Sequence, residues 1–195
     1  MPKQSVTRNK ILILTTLFIL VAAGIFVFAQ RQKNTDKKFV SYIVDPKKQD
    51  IKLYWKDDKQ ENFKSIQNLK IWLDKNQMKL VFAMNAGMYR KDNTPQGLFI
   101  DNQKTVTPLD TTNGDGNFYL KPNGIFYITG DNLPIICSAT NFIDNGKVKY
   151  ATQSGPMLVI DGQIHSAFKA GSTNLNIRNG VGIGCKSKLR TKYVI

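Results

Sequence analysis

Cysteine and histidine are scarce in this chain: Cys137, Cys185 and a single histidine, His165. No zinc-binding spacing is present, and one histidine excludes a multi-histidine metal centre. No metal ligand set is therefore assigned, and nothing in the sequence specifies a cofactor. Two cysteines so far apart allow one disulfide in an exported protein but do not require it. Cys137 closes the apolar run Pro134-Ile135-Ile136-Cys137 and reads as a small packed hydrophobe. Acidic residues are also few, 14 against 28 lysines and arginines, a net charge of +14. No helix-turn-helix, zinc finger or aromatic RNA-binding motif accompanies that charge, so nucleic acid is not an expected partner. Lys52, Lys56, Lys59, Lys64 and Lys70 are dispersed among other residues and form no block, as on a solvated surface. There is no internal repeat and no low-complexity tract.

What is present is enough chain for one domain: 195 residues, 42% hydrophobic and 10% aromatic. Residues 11–29 carry no charge and follow the basic residues Lys3, Arg8 and Lys10. A run of that length can span a bilayer, which needs about 20 apolar residues. It is longer than a typical signal-peptide core of about 7–15 residues, although Val27-Phe28-Ala29 resembles a cleavage site. Residues 1–30 thus read as a signal anchor, with a cleaved signal peptide as the alternative. Residues 31–38 read as a linker and 39–195 as a domain outside the cytoplasm, with the membrane as a partner through the N-terminal helix.

Within that domain, residues 39–44 and 51–55 read as two arms of a hairpin around the turn Asp45-Pro46-Lys47-Lys48. Asn62 is placed to cap a helix over 63–75, where Phe63, Ile66, Leu69 and Leu73 form one apolar stripe. Residues 79–84 read as a central strand. Further strands are expected at 97–101, 118–120, 124–129, 150–152 and 157–160, separated by Gly and Asn turns. One early helix and many later strands predict an α+β fold with a mixed, β-rich sheet.

Three glycine-punctuated polar motifs sit among these runs: Asn85-Ala86-Gly87, Gln153-Ser154-Gly155-Pro156 and Arg178-Asn179-Gly180. Glycine allows close approach of backbone to a ligand, and amides and guanidinium supply forked donors. Such groups suit hydroxyl-rich or phosphate-bearing ligands. Each motif also has a plain reading, as a turn or a surface arginine. Ser154 invites a nucleophile reading, but the flanking pattern of a Gly-x-Ser-x-Gly hydrolase is missing. His165 is either a structural histidine or a candidate acid or base. The segment 113–117 lacks the alternating acids of a calcium loop and reads as a turn.

Taken in order, these segments resemble the phosphodiester glycosidase family, whose mammalian member uncovers mannose 6-phosphate, and in particular its bacterial branch. The matching stretches are Phe82-Ala83-Met84-Asn85-Ala86-Gly87-Met88-Tyr89, Thr94-Pro95-Gln96-Gly97-Leu98-Phe99, Gly116-Asn117-Phe118-Tyr119-Leu120-Lys121-Pro122-Asn123-Gly124, Ala151-Thr152-Gln153-Ser154-Gly155-Pro156-Met157-Leu158 and Ile177-Arg178-Asn179-Gly180-Val181-Gly182. The resemblance implies hydrolysis of a sugar 1-phosphodiester in an envelope glycan or exopolysaccharide. It implies substrate contacts from Asn85, Gly87, Asn123, Gln153, Ser154, Gly155 and Asn179, with His165 and Arg178 as catalytic groups. Most glycosidases use two carboxylates; no such pair lies inside the matching motifs, and Asp92, Asp110 and Asp115 are nearby without a role. Residues 184–195 do not resemble the family, so a domain lacking its C-terminal part is expected, with noncatalytic glycan binding or an inactive fragment as the alternative.

Overall fold

A computed structural model describes residues 40–173, 178–184 and 193–194. The chain divides into two compact units, Met1–Ile43 and Val44–Ile195. The expected membrane helix and linker lie outside the described residues. Among the described residues no helix is long and apolar enough to cross a membrane.

The second unit is built on antiparallel sheets. Strand β1 (Phe99–Asp101) pairs with β2 (Lys104–Thr107), and β3 (Gly124–Thr129) with β4 (Pro134–Ser138). Strand β5 (Val148–Ser154) inserts between the two hairpins, giving the order β2-β1-β5-β3-β4. A smaller sheet, β7-β6-β8, combines β6 (Val159–Ile160), β7 (Gln163–Ile164) and β8 (Tyr193–Val194). The turn Asp161-Gly162 joins β6 to β7 with both residues at positive φ, the geometry that a two-residue hairpin of right-handed twist requires. The β-rich α+β class is as expected, but every described ladder is antiparallel, not mixed.

Side chains alternate across the large sheet. One face carries Ile100, Ile125 and Ala151, packed with Leu98, Ala139 and Val148. The other carries Phe126, Ile128, Ile136 and Tyr150, packed with Met157. Ile51, Leu53, Val181 and Ile183 cover this second face. Residues 51–55 therefore do pack on the sheet but form no ladder; their neighbourhood holds one bridge, Lys56 to Asn62. Residues 40–44 form no strand either.

The helix α1 is Ile66–Lys75, three residues shorter at its start than expected. Lys64 takes a left-handed φ of 59°, which breaks any helix begun at Phe63. Ser65 is the true cap, its hydroxyl accepting from Asn68 N at 3.1 Å. The other end closes with Gln77 N bonded to Asp74 O and Met78 N to Leu73 O, a Schellman motif with glutamine in the position glycine usually takes. Leu73 is buried, while Trp72 packs edge-on against Tyr54 and Phe63.

Two further expected strands are absent. Phe118 and Tyr119 belong to a 3-10 turn, Asn117–Tyr119, that buries Phe118 and ends before Leu120. Residues 79–84 lie outside both sheets, with Val81 exposed.

Candidate functional site

The site lies at the Ser154 end of β5. Gln153 shares a sheet face with Ala151 and Ile125, and it is completely buried. Its Oε1 accepts from Leu98 N at 2.9 Å and Asp110 N at 3.1 Å. Its Nε2 donates to Asp110 O at 2.6 Å. The amide thus ties two loops to β5, and its acceptor and one of its two donors are engaged by backbone. Gly97 makes room for it. A Cβ there would stand 2.7 Å from Gln153 Cδ, and φ is +76°. Only glycine satisfies both demands without strain.

Asn123 is equally buried, and its Nδ2 donates to Phe118 O. Its Oδ1 has no partner among the described residues. Gly155 is pressed so close that a Cβ would overlap Phe118 O and Asn123 Nδ2. Gly87 is pressed in the same way against β5, where a Cβ would stand 2.6 Å from Gln153 O and overlap Thr152 Oγ1.

His165 is partly buried and bonded at both ring nitrogens. Ala167 N donates to Nδ1 at 3.0 Å, so Nδ1 carries no proton. Nε2 stands 2.9 Å from Lys121 O, which can only accept, so the proton sits on Nε2. The imidazole therefore links the loop after β7 to the loop before β3. It does not bond Ser154, so no serine–histidine pair forms.

The remaining motif side chains face outward. Asn85 and Asn179 are exposed, Ser154 is partly buried, and none of the three has a side-chain hydrogen bond among the described residues. Arg178 is exposed and makes contacts of its own. The alternation of β5 directs Ser154 to the face of Thr152 and Tyr150. That is the face on which Gly87 sits and on which Val181 and Ile183, a few residues after Arg178, are packed. The three motifs therefore approach one face of the sheet.

Asp110 is held by the Gln153 amide, which leaves β5 on the opposite face from Ser154. Its carboxylate accepts from the Thr112 hydroxyl at 2.6 Å and Thr112 N at 2.9 Å. The Thr112 hydroxyl above all holds this carboxyl below the usual carboxylate range, with Thr112 N–H, Lys121 and Arg90 adding to the effect. Asp92 is lowered in the same way, first by the Thr94 hydroxyl and then by Thr94 N–H, with a contribution from Arg90. Lys121 Nζ donates to Thr111 O at 3.2 Å and Thr112 O at 2.8 Å. Arg90 and Lys121 were not singled out by motif; a cation opening the tight turn before Asn93-Thr94-Pro95 was the available signal.

A separate cleft of about 150 Å³ beside β4 is lined by Pro122, Ile136, Cys137, Ser138, Asn141 and Met157. It is smaller than ligand sites usually are, which begin at about 300 Å³. Cys137 is a free thiol there, pushed up by burial. Among the described residues no three His, Cys, Asp or Glu side chains converge as metal ligands.

No solved structure matches this chain. The chain is similar to the uncharacterized protein YigE of Escherichia coli (strain K12), 34% identical over 143 residues. That match covers 73% of this chain and 56% of the relative, a little over half its length. Residues 78–189, which hold all three motifs, match the phosphodiester glycosidase (NAGPA) family, and the chain belongs to that family.

Proposed function

We propose that this protein hydrolyses a sugar 1-phosphodiester, breaking the bond between the anomeric carbon and the phosphate oxygen. The observation that carries the reading is a set of uncommitted polar side chains, Asn85 and Ser154 foremost, on the sheet face where the family motifs meet. Asn85, Asn179 and Ser154 bind sugar hydroxyls, and Arg178 neutralises the departing phosphate. Gln153, Asn123, Gly87 and Gly155 serve by shaping the floor beneath them. His165 holds the Lys121 and Ala167 backbones together and acts through that link. The leaving phosphate departs as an anion, so it needs less protonation than an alcohol would.

The apolar run 11–29 supports an exported, membrane-anchored placement, with an envelope glycan or exopolysaccharide as the substrate class. A reporter fused after residue 195 that is active only outside the cytoplasm checks this; activity confined to a cytoplasmic reporter removes it.

The enzymatic test is incubation of the full chain with glucose 1-(methyl phosphate) and, in parallel, methyl glucoside. Release of reducing sugar from the first and not the second is the expected result. A folded protein with no turnover on a panel of sugar 1-phosphodiesters would remove the hydrolase reading. One observation favours a noncatalytic glycan-binding role instead. Asp92 and Asp110 are both held below the usual range, so neither stores a proton at neutral pH for a leaving group. Saturable binding of the phosphodiester without turnover selects that role.

A further inference from the structure

The turn spanning residues 89–95 is held by hydrogen bonds at both ends. Arg90 N bonds Thr94 O at 2.9 Å, Asn93 N bonds Arg90 O at 2.9 Å, and Tyr89 bridges Pro95. Its base is closed by Gln96 N to Met88 O at 2.9 Å, and its far end by Trp55 Nε1 to Asn93 O at 2.8 Å. Trp55 is itself seated edge-on against buried Phe99 of β1. Met88 N approaches Gln153 O at 3.4 Å, so the turn and Asp110 are both referred to the same residue of β5.

Two side chains leave this rigid turn for solvent. Tyr89 is 57% exposed. Arg90 is exposed, and among the described residues its guanidinium makes no hydrogen bond or ion pair. Lys121, the other cation near Asp110, has its ammonium engaged by two carbonyls. Arg90, Lys91 and Lys121 outnumber Asp92 and Asp110, so the lip is net positive. A large aromatic and a forked cation, adjacent in sequence and preordered by backbone bonds, match a ring joined to a phosphate.

Resting on the reading of the site given above, we infer that Tyr89 and Arg90 form a recognition lip for the substrate: Tyr89 stacks on a sugar ring and Arg90 binds the phosphodiester oxygens. Arg90 is thus a substrate-binding residue that no motif assigns, and it makes the lip selective for phosphorylated over neutral glycan. Arg90 adds a small lowering to both Asp92 and Asp110, in agreement with a place on the turn within electrostatic reach of both carboxylates.

Steady-state kinetics with glucose 1-(methyl phosphate) and binding of methyl glucoside test this in wild type, Arg90→Ala and Arg90→Lys. Loss of one charge-assisted fork raises KM for the phosphodiester about tenfold to a hundredfold, since such bonds contribute about 1.5–3 kcal/mol. Methyl glucoside binding stays within about twofold, because a neutral ligand has no charge for the guanidinium to meet. Arg90→Lys restores part of the loss, because charge returns without the fork. Tyr89→Ala weakens both ligands. Turnover by wild type with an unchanged KM in Arg90→Ala overturns the lip while leaving the hydrolase reading intact. Equal weakening of both ligands by Arg90→Ala also overturns it, since the residue then acts through the fold. Wild type that neither binds nor turns over the phosphodiester removes the underlying reading, and the lip with it.

Discussion

The floor and the rim of this site are made of the same residue types and use them in opposite ways. On the floor, the acceptor and one donor of Gln153, a donor of Asn123 and both ring nitrogens of His165 are engaged by backbone. On the rim, Asn85, Ser154 and Asn179 have no partner among the described side chains and backbone. An amide is thus a construction element in one layer and a free polar group in the next. Burial separates the two: buried Gln153 has its acceptor and a donor paired by backbone and buried Asn123 a donor alone, whereas an exposed amide is paired by water.

The sharpest way to break this division is at Gly155. A methyl group there overlaps Phe118 O, which is backbone and cannot step aside. Gly155→Ala is expected to cost about 3 kcal/mol or more. Urea denaturation reads the loss, and a variant as stable as wild type would mean the floor is not tightly packed. Next comes Gln153→Ala, which strands Leu98 N, Asp110 N and Asp110 O. With about 1–3 kcal/mol for each buried group left unsatisfied, the total is about 2–4 kcal/mol once some of them regain water. The same substitution is expected to loosen residues 108–112, visible as faster amide exchange there. Unaltered exchange would contradict the clamp.

Rim substitutions should do the reverse. Asn85→Ala and Ser154→Ala are expected to leave stability within about 0.5 kcal/mol, since one position is exposed and the other half-buried without a side-chain partner among the described residues. Turnover or binding of a sugar 1-phosphodiester should fall about tenfold or more for the loss of a positioned hydrogen bond. A large drop in melting temperature with unchanged binding would exchange the roles of rim and floor. The smallest effect is that of pH at Asp110. Its folded-state value lies below the unfolded one, so its contribution is complete above the ordinary carboxylate range. It is lost as pH falls through that range and on through the lower folded value. The group is lightly buried, so solvent screening keeps the effect modest. Denaturation midpoints compared at pH 7 and pH 3 should fall less in Asp110→Asn than in wild type; an identical fall in both would show that other groups carry the acid sensitivity.

How far the sequence is legible follows the same division. Strand β3 occupies the expected residues, 124–129, because its apolar run is bounded by a turn on each side. The centre of β5 was readable from Tyr150 to Thr152, though the ladder extends to Val148 and Ser154. Strand β4 was visible only as an apolar run, since Pro134 at its head argues against an interior strand and is tolerated at an edge. Residues 79–84 looked like a central strand from composition alone. Composition states that a segment is apolar, not which neighbour it will pair with. The use made of Gln153 was hidden for a related reason: Asp110 lies 43 residues away, and nothing local distinguishes a clamped amide from a free one. The Asn62 cap failed at a single backbone angle, that of Lys64, which side-chain pattern does not encode.

The place of β5 in the sheet also sets the order in which the site can come into being. The hairpins β1–β2 and β3–β4 close locally, over a few residues each. Within the described sheet β5, which follows both in the chain, is the strand that pairs with each of them. During synthesis, the halves of the sheet can form early, yet each keeps an unpaired edge and half a core until residues 148–154 leave the ribosome. Gln153 arrives with that last strand. The moment that seals the sheet is then also the moment that ties down Leu98 and Asp110, whereas Arg178 and Asn179 follow only with later chain.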